Sequence, residues 1–128
     1  FSIIYFITFC VLVTFGGSVD IDIKEVKGWT VVKPAGKLNV FSAPILEDKV
    51  KELLHRNGYC IGIDFSEISY IDSSGINTLI ILHKEAIFKH GDFFVYNVSP
   101  NVEKVFSLAD MQQFLTIFEN ENAIPQKS

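Results

Sequence analysis

The sequence has few of the residues on which disulfide or metal crosslinks depend. Its 128 residues include two cysteines, Cys10 and Cys60, and three scattered histidines. Two separate cysteines do not form a disulfide framework, which favours a reducing compartment, and no Cys and His residues have the spacing of metal ligands. We therefore expect no metal and no cofactor, and we predict that Cys60 is a buried thiol within an apolar strand.

Positively charged residues are also few and dispersed. Lys and Arg total 11 against 15 Asp and Glu, the net charge is −4, and Arg56 is the single arginine. Because no basic cluster is present, nucleic acid and an anionic membrane surface are disfavoured as partners. A chain of this length fits one domain that can bury a core without crosslinks.

Charge is absent from the start of the chain, where the first charged residue is Asp20. Such a length is near the lower limit for a membrane span, and Gly16-Gly17-Ser18 resembles a signal-peptide cleavage region. No Lys or Arg lies close on either side, as a membrane segment usually requires. We expect residues 1–18 to be an ordered apolar segment packed on its own domain or on a second copy in a homo-oligomer. A membrane anchor is the alternative, and a cleaved signal is least favoured.

From residue 19 to residue 128 the pattern predicts one domain in which strand and helix periods alternate. Strands are predicted at Val19–Lys24, Trp29–Pro34, Cys60–Phe65, Phe93–Val98 and Leu115–Phe118, with a hairpin turn at Lys27-Gly28. Helices are predicted from an N-cap at Ser42 to Asn57-Gly58, from about Ser74 to Lys89, and from Ser99-Pro100. The polar C-terminus is expected to form a helical turn and then fray. This order predicts an α/β fold with helices packed on a mixed sheet.

The segment Asp72-Ser73-Ser74-Gly75 lies between a buried strand and the second predicted helix, a position where a rigid scaffold often presents functional residues. Its three polar residues are all favoured helix N-caps, so the residue types alone are explained by a well-capped helix. A nucleophilic serine would need Gly-x-Ser-x-Gly, and a phosphate-binding loop would need several glycines and a lysine. Neither pattern is present, and we predict no catalytic residue.

The wider sequence, over about residues 19–118, resembles a STAS domain of the anti-sigma factor antagonist family. The stretch from Ile63 to Gly75 resembles the family signature, in which a strand ending in Asp leads to Asp-Ser-Ser-Gly. Two further stretches agree with the family: Gly36-Lys37-Leu38-Asn39, and Asn97-Val98-Ser99-Pro100-Asn101-Val102 followed by Val105-Phe106. Three matching stretches in the right order are much more specific than the tetrad Asp72-Ser73-Ser74-Gly75 alone.

The resemblance implies a binding protein that is switched by phosphorylation and is not itself an enzyme. In such antagonists the first serine of the tetrad, here Ser73, is phosphorylated by the anti-sigma factor, which is a serine kinase. The unphosphorylated form binds the anti-sigma factor and frees the sigma factor, and a phosphatase restores that form. The resemblance makes Asp72, Ser74, Gly75 and Asn39 the rest of the switch loop. The family usually has Asp where this chain has Asn39, which keeps a capping side chain without the charge.

The outward face of the second predicted helix indicates where a partner binds. Helical spacing places five residues on this face: Asn77, Thr78, Ile81, Lys84 and Phe88. Two of them are apolar where solvent exposure is expected, which favours a recognition surface.

Two other functions are alternatives to the anti-sigma factor antagonist. One is a STAS subunit of a membrane transport or lipid-trafficking system, which the apolar N-terminal segment favours. The other is a nucleotide-responsive STAS module. We expect a cytoplasmic location, with membrane association through residues 1–18 as the alternative.

Overall fold

The computed structural model describes residues 19–56 and 58–127, so the apolar segment 1–18 and the predictions made for it lie outside the described residues. The strands are β1 Val19–Val26, β2 Trp29–Leu38, β3 Cys60–Asp64, β4 Glu67–Ile71, β5 Asp92–Tyr96 and β6 Thr116–Phe118. The α-helices are α1 Ala43–Arg56, α2 Ser73–Phe88 and α3 Pro100–Leu108, and short 3-10 helices lie at Met111–Gln113 and Glu121–Ala123.

These strands form one mixed sheet, as the alternating pattern predicts. The strand order is β1-β2-β3-β5-β6, with β4 paired to β2. The hairpin of β1 and β2 is antiparallel, and every other pairing is parallel. β2 is long enough to pair with two strands in turn on the same side. Its first half pairs with β3, and its second half pairs with β4 after a shift of register between Gly36 and Lys37.

Strand β4 was not among the strands predicted from the sequence. Within β4, Ile68 and Ile71 are buried, whereas Ser69 and Tyr70 between them are exposed. The two-residue period of a strand is therefore broken at the register shift, and no alternation was visible in the sequence. The consequence for the fold is that β2 and β4 end side by side, with Leu38 opposite Ile71.

The two faces of the sheet are covered differently. All three α-helices contribute to the larger core on one face, in which Val32, Ile63 and Val95 come from the central strands. On the other face, Trp29, Val31, Phe94 and Tyr96 from β2 and β5 form a smaller, mainly aromatic cluster together with Ile124. Because the helices cover one face, another part of the chain must cover the second.

The C-terminal residues cover this second face, which corrects the prediction that they fray. Ile124 is buried, and the indole Nε1 of Trp29 donates to the carbonyl of Pro125 at 2.8 Å. The amide of Lys127 donates to the carbonyl of Lys27 in the hairpin turn at 2.9 Å. Hydrogen bonding and burial therefore order these residues although they are mostly polar.

Cys60 also differs from its prediction, because it is half-buried at the start of β3. Its thiol donates to the carbonyl of Gly58 at 3.5 Å. Cys60 packs at the margin of the smaller cluster, on the face opposite the helices, whereas Ile61 and Ile63 lie in the helix-covered core.

Candidate protein-binding site

Asp72 is the residue of the tetrad that caps α2. Its Oδ1 accepts hydrogen bonds from the amides of Ser74 at 2.9 Å and Gly75 at 3.3 Å, and its carbonyl accepts from the amide of Ile76 at 3.0 Å. These bonds satisfy first-turn amides, two of which have no acceptor within the helix itself. Three of the tetrad's residues could have served as the cap, and the structure assigns that role to Asp72.

Gly75 allows α2 to begin in contact with the ends of two strands. A Cβ on this residue would lie 2.6 Å from Cγ1 of Ile71 and 3.0 Å from the carbonyl oxygen of Leu38. Leu38 and Ile71 are the last residues of β2 and β4. The glycine is therefore required by the close approach of backbone and side chain.

Ser73 occupies the first position of α2 and is exposed to solvent. Ser74 beside it is half-buried. The backbone on both sides of Ser73 is held, by the capping bonds of Asp72 and by the packing of Gly75. An accessible hydroxyl on a rigid helix start is a suitable acceptor for a modifying enzyme, and Ser73 fits that description better than Ser74 does.

Asn39 holds the loop that connects β2 to α1. Its Oδ1 accepts from the amides of Phe41 at 2.9 Å and Ser42 at 3.1 Å. The hydroxyl of Ser42 donates to the carbonyl of Lys37 at 2.5 Å and accepts from the amide of Asn39 at 2.9 Å. Ser42 directly precedes α1, where it was predicted as the N-cap, and its carbonyl accepts from the amide of Leu46 at 3.1 Å, but its hydroxyl bonds back toward β2. Asn39 thus supplies acceptor bonds without the charge that Asp would bring.

The loop and the tetrad meet at the carboxyl edge of β2 and β4. The amide of Asp72 donates to the carbonyl of Leu38 at 3.1 Å, one residue before Asn39. The structure therefore brings together the two predicted parts of the switch loop, which are separated by more than thirty residues in the sequence.

Thr78 does not lie on the exposed face of α2, which corrects its prediction as a partner-binding residue. It is 3% exposed, and its Oγ1 donates to Oε1 of Glu47 on α1 at 3.3 Å. The reason is that α1 packs against this side of α2 and covers it. Four other residues were predicted on this face. Asn77, Lys84 and Phe88 are exposed, and Ile81 is half-buried.

Two exposed apolar residues at the same edge were not predicted. Val40 and Phe41, in the loop that Asn39 holds, are 58% and 78% exposed. The sequence signal was an apolar pair directly after Gly36-Lys37-Leu38-Asn39 that belongs to no strand or helix period. Such a pair has no element of its own to bury it, so its exposure could have been suspected.

Asp64, at the end of β3, holds the turn that leads into β4. Its Oδ1 accepts from the amide of Ser66 at 2.9 Å and from Nδ2 of Asn97 at 3.3 Å, and its Oδ2 pairs with Nζ of Lys24 at 2.8 Å. Burial acts to raise the pKa of Asp64, but these hydrogen bonds outweigh it and hold that pKa below its usual value. Lys24 also pairs with Glu121 at 2.9 Å, and this ion pair links the C-terminal residues to Lys24 and Asp64.

A comparison with protein-family models identifies the family. The model of the STAS domain matches residues 20–124. The chain belongs to the STAS domain family. The matched residues include Asn39, Asp64 and the tetrad.

Proteins similar to this chain include the anti-sigma-B factor antagonist of Bacillus subtilis (strain 168). It is 25% identical over 100 residues, which are 78% of this chain and 91% of that protein. An anti-sigma factor antagonist from Mycobacterium paratuberculosis has a similar solved structure, with a TM-score of 0.71 and 19% identity over 80% of this chain and 87% of that chain. The antagonist SpoIIAA in its unphosphorylated form has a TM-score of 0.66 and 22% identity over 80% and 91% of the two chains. These matches confirm the predicted STAS fold.

None of the helices in residues 19–56 and 58–127 combines the length and the apolar character needed to cross a membrane. The same residues contain no group of three or more His, Cys, Asp or Glu side chains that could hold a metal ion.

Proposed function

We propose that this STAS domain is an anti-sigma factor antagonist that is switched by phosphorylation of Ser73. The unphosphorylated form binds an anti-sigma factor that is a serine kinase, and the phosphorylated form is released until a phosphatase restores it. The single observation that carries the proposal is the exposed Ser73 hydroxyl at the rigid start of α2. The names of the relatives support it, since they are antagonists of anti-sigma factors.

The position of Ser73 relative to Asp72 determines what a phosphate would do to the domain itself. A phosphoserine adds about −1.5 to −2 charges at neutral pH, and the positive end of a helix favours such charge by about 0.3–1 kcal/mol. However, Asp72 already occupies the amides of Ser74 and Gly75, and its carboxylate repels the phosphate. The phosphate therefore gains little from the helix and remains hydrated.

The main effect of the phosphate then falls on the complex. A partner that covers Ser73 must remove water from nearly two added charges beside the carboxylate of Asp72. Binding is weakened without a change of fold, because the cap and the packing of Gly75 stay as they are. The solved structure of SpoIIAA in its phosphorylated form, with a TM-score of 0.60 to this chain, is consistent with a fold that tolerates the modification.

Phosphorylation by the anti-sigma factor kinases of the source organism tests the proposal directly. Each purified kinase is mixed with this protein and ATP, and the modified residue is located by mass spectrometry. One phosphate on Ser73 is expected for the wild type and for Ser74→Ala, and none for Ser73→Ala. Phosphate on Ser74, or no phosphate with any of the kinases, would contradict the proposal.

Affinity measurements test the second half of the switch. Ser73→Asp is expected to bind the kinase, held with ADP so that no transfer occurs, at least about tenfold more weakly than Ser73→Ala does. Aspartate carries about half the charge of phosphoserine, so this value is a lower bound on the effect of phosphate. Equal affinities of the two variants would argue against a charge-operated release.

The proposal also implies a cytoplasmic location, where such a kinase and its sigma factor would meet the antagonist. Calorimetric titration with ATP and with GTP tests the alternative of a nucleotide-responsive module. Fractionation of cells tests the alternative of a subunit of a membrane system, which predicts recovery of the protein with the membranes.

A further inference from the structure

The apolar pair Val40 and Phe41 lies at the edge that carries Ser73. Phe41 is 78% exposed and Val40 is 58% exposed. Exposed single apolar residues are ordinary on protein surfaces, so exposure alone assigns them no role. Two further properties of the pair, its rigidity and its place at the edge that carries Ser73, distinguish it from Phe88 and Leu108, the other two most exposed apolar residues.

The backbone that presents Phe41 is held on both sides. The amides of Phe41 and Ser42 both donate to Oδ1 of Asn39, and the amide of Ala43 donates to the carbonyl of Asn39 at 2.8 Å. Ser42 is fully buried, so the loop is anchored directly after the exposed ring. An aromatic side chain on a fixed backbone loses little conformational entropy when a partner covers it, which is the property of a good binding anchor.

The pair and the acceptor serine are joined by short structural links. Val40 follows Leu38 by two residues, and the carbonyl of Leu38 accepts from the amide of Asp72 at 3.1 Å. The same carbonyl oxygen would lie 3.0 Å from a Cβ on Gly75, in the first turn of α2. A kinase that brings the γ-phosphate of ATP to the hydroxyl of Ser73 must lie over this edge of the sheet, so its surface extends over the β2–α1 loop.

We infer that Phe41, assisted by Val40, is the apolar anchor by which this protein holds its anti-sigma factor kinase, an inference that rests on the proposed function. The partner's complementary feature is an apolar pocket beside the site that delivers the phosphoryl group, and this pocket receives the phenyl ring. The same edge then provides the main binding contact, Phe41, and the residue whose phosphorylation weakens binding, Ser73. Binding is weakened because a phosphate on Ser73 would have to be dehydrated for the ring to enter the pocket.

Alanine variants of three equally exposed apolar residues test the inference. Leu108, 90% exposed on α3, is the matched control for Phe41, and Phe88, 80% exposed at the far end of α2, tests the rival surface predicted on that helix. The dissociation constant of each variant with the purified kinase and ADP is measured by calorimetry, and thermal unfolding is recorded alongside. Phe41→Ala should weaken binding by about 30-fold or more with an unchanged melting temperature, and Leu108→Ala should weaken binding by less than about threefold.

The outcomes separate this inference from the proposed function. If the wild type binds none of the anti-sigma factor kinases, the proposed function is wrong, and so is the inference that Phe41 is the anchor. If the wild type binds and Phe41→Ala binds equally well, the antagonist function stands and the anchor is wrong. A loss of affinity in Phe88→Ala instead would place the anchor on the outward face of α2 and overturn the inference. Should Phe41→Ala unfold, Phe41→Leu and Phe41→Ser replace it, and the inference requires that leucine retain more affinity than serine does.

Discussion

Replacing Gly75 with alanine tests how closely the start of α2 is fitted to the sheet. The added methyl group would lie 2.6 Å from Cγ1 of Ile71 and 3.0 Å from the carbonyl oxygen of Leu38. The side chain of Ile71 can shift, but the carbonyl of Leu38 belongs to the sheet and also accepts the amide of Asp72. Relief of the second contact therefore requires the first turn of the helix to move away from the strands.

The size of the effect follows from two opposing contributions. Overpacking by one methyl group in a close-packed site costs about 1–3 kcal/mol. Alanine is favoured over glycine by at most about 1 kcal/mol within a helix, and by less in its first turn. The free energy of unfolding should therefore fall by about 1–2 kcal/mol, which lowers the melting temperature by about 5–10 °C for a domain of this size.

Tryptophan fluorescence provides the assay, because Trp29 is the single tryptophan and is buried under the C-terminal residues on the opposite face of the sheet. Denaturant unfolding followed by Trp29 thus reports the whole domain. Asn77→Ala is the matched control, since Asn77 is exposed in the same helix and its replacement should be neutral or stabilising by up to about 0.7 kcal/mol. If Gly75→Ala were as stable as the wild type, the close approach of α2 to Leu38 would not be the reason for glycine at this position.

Three further outcomes are expected from the same unfolding assay. Because the pKa of Asp64 is lowered in the folded state, the stability from this group is present above its unfolded pKa of 3.8 and is lost as the pH falls through the lower folded value. Between about pH 7 and about pH 3, wild-type stability should thus fall more steeply than that of Asp64→Asn, and parallel curves would refute this role. Asp72→Ala should cost about 1 kcal/mol through loss of the cap, whereas Asp72→Asn, which keeps an acceptor oxygen, should cost less than half as much. Ile124→Ala should cost about 2–4 kcal/mol by opening the second face of the sheet, while Asn122→Ala, which is exposed, should leave stability within about 0.5 kcal/mol.

Apart from β4, the order of strands and helices was determined by the sequence alone, because the patterns that encode it are local. Alternating and helical periods, the turn at Lys27-Gly28 and the cap at Ser99-Pro100 act within a few residues of the elements they define. The tetrad was located for the same reason, since a helix start directly after buried residues is a local signal. The choice of Asp72 as the cap was left open, because Ser73 and Ser74 are capping residues of similar strength.

The tertiary structure decided which surfaces are buried and which residues meet. Thr78 was predicted to be exposed and is covered by α1, whereas the polar C-terminal residues were predicted to fray and are ordered on Trp29. The meeting of Asn39 with Asp72 depends on the pairing of β2 with β4, and the register shift hid β4 from any periodicity. Burial and contact depend on how distant segments pack, so a pattern that reports only neighbours along the chain cannot specify them.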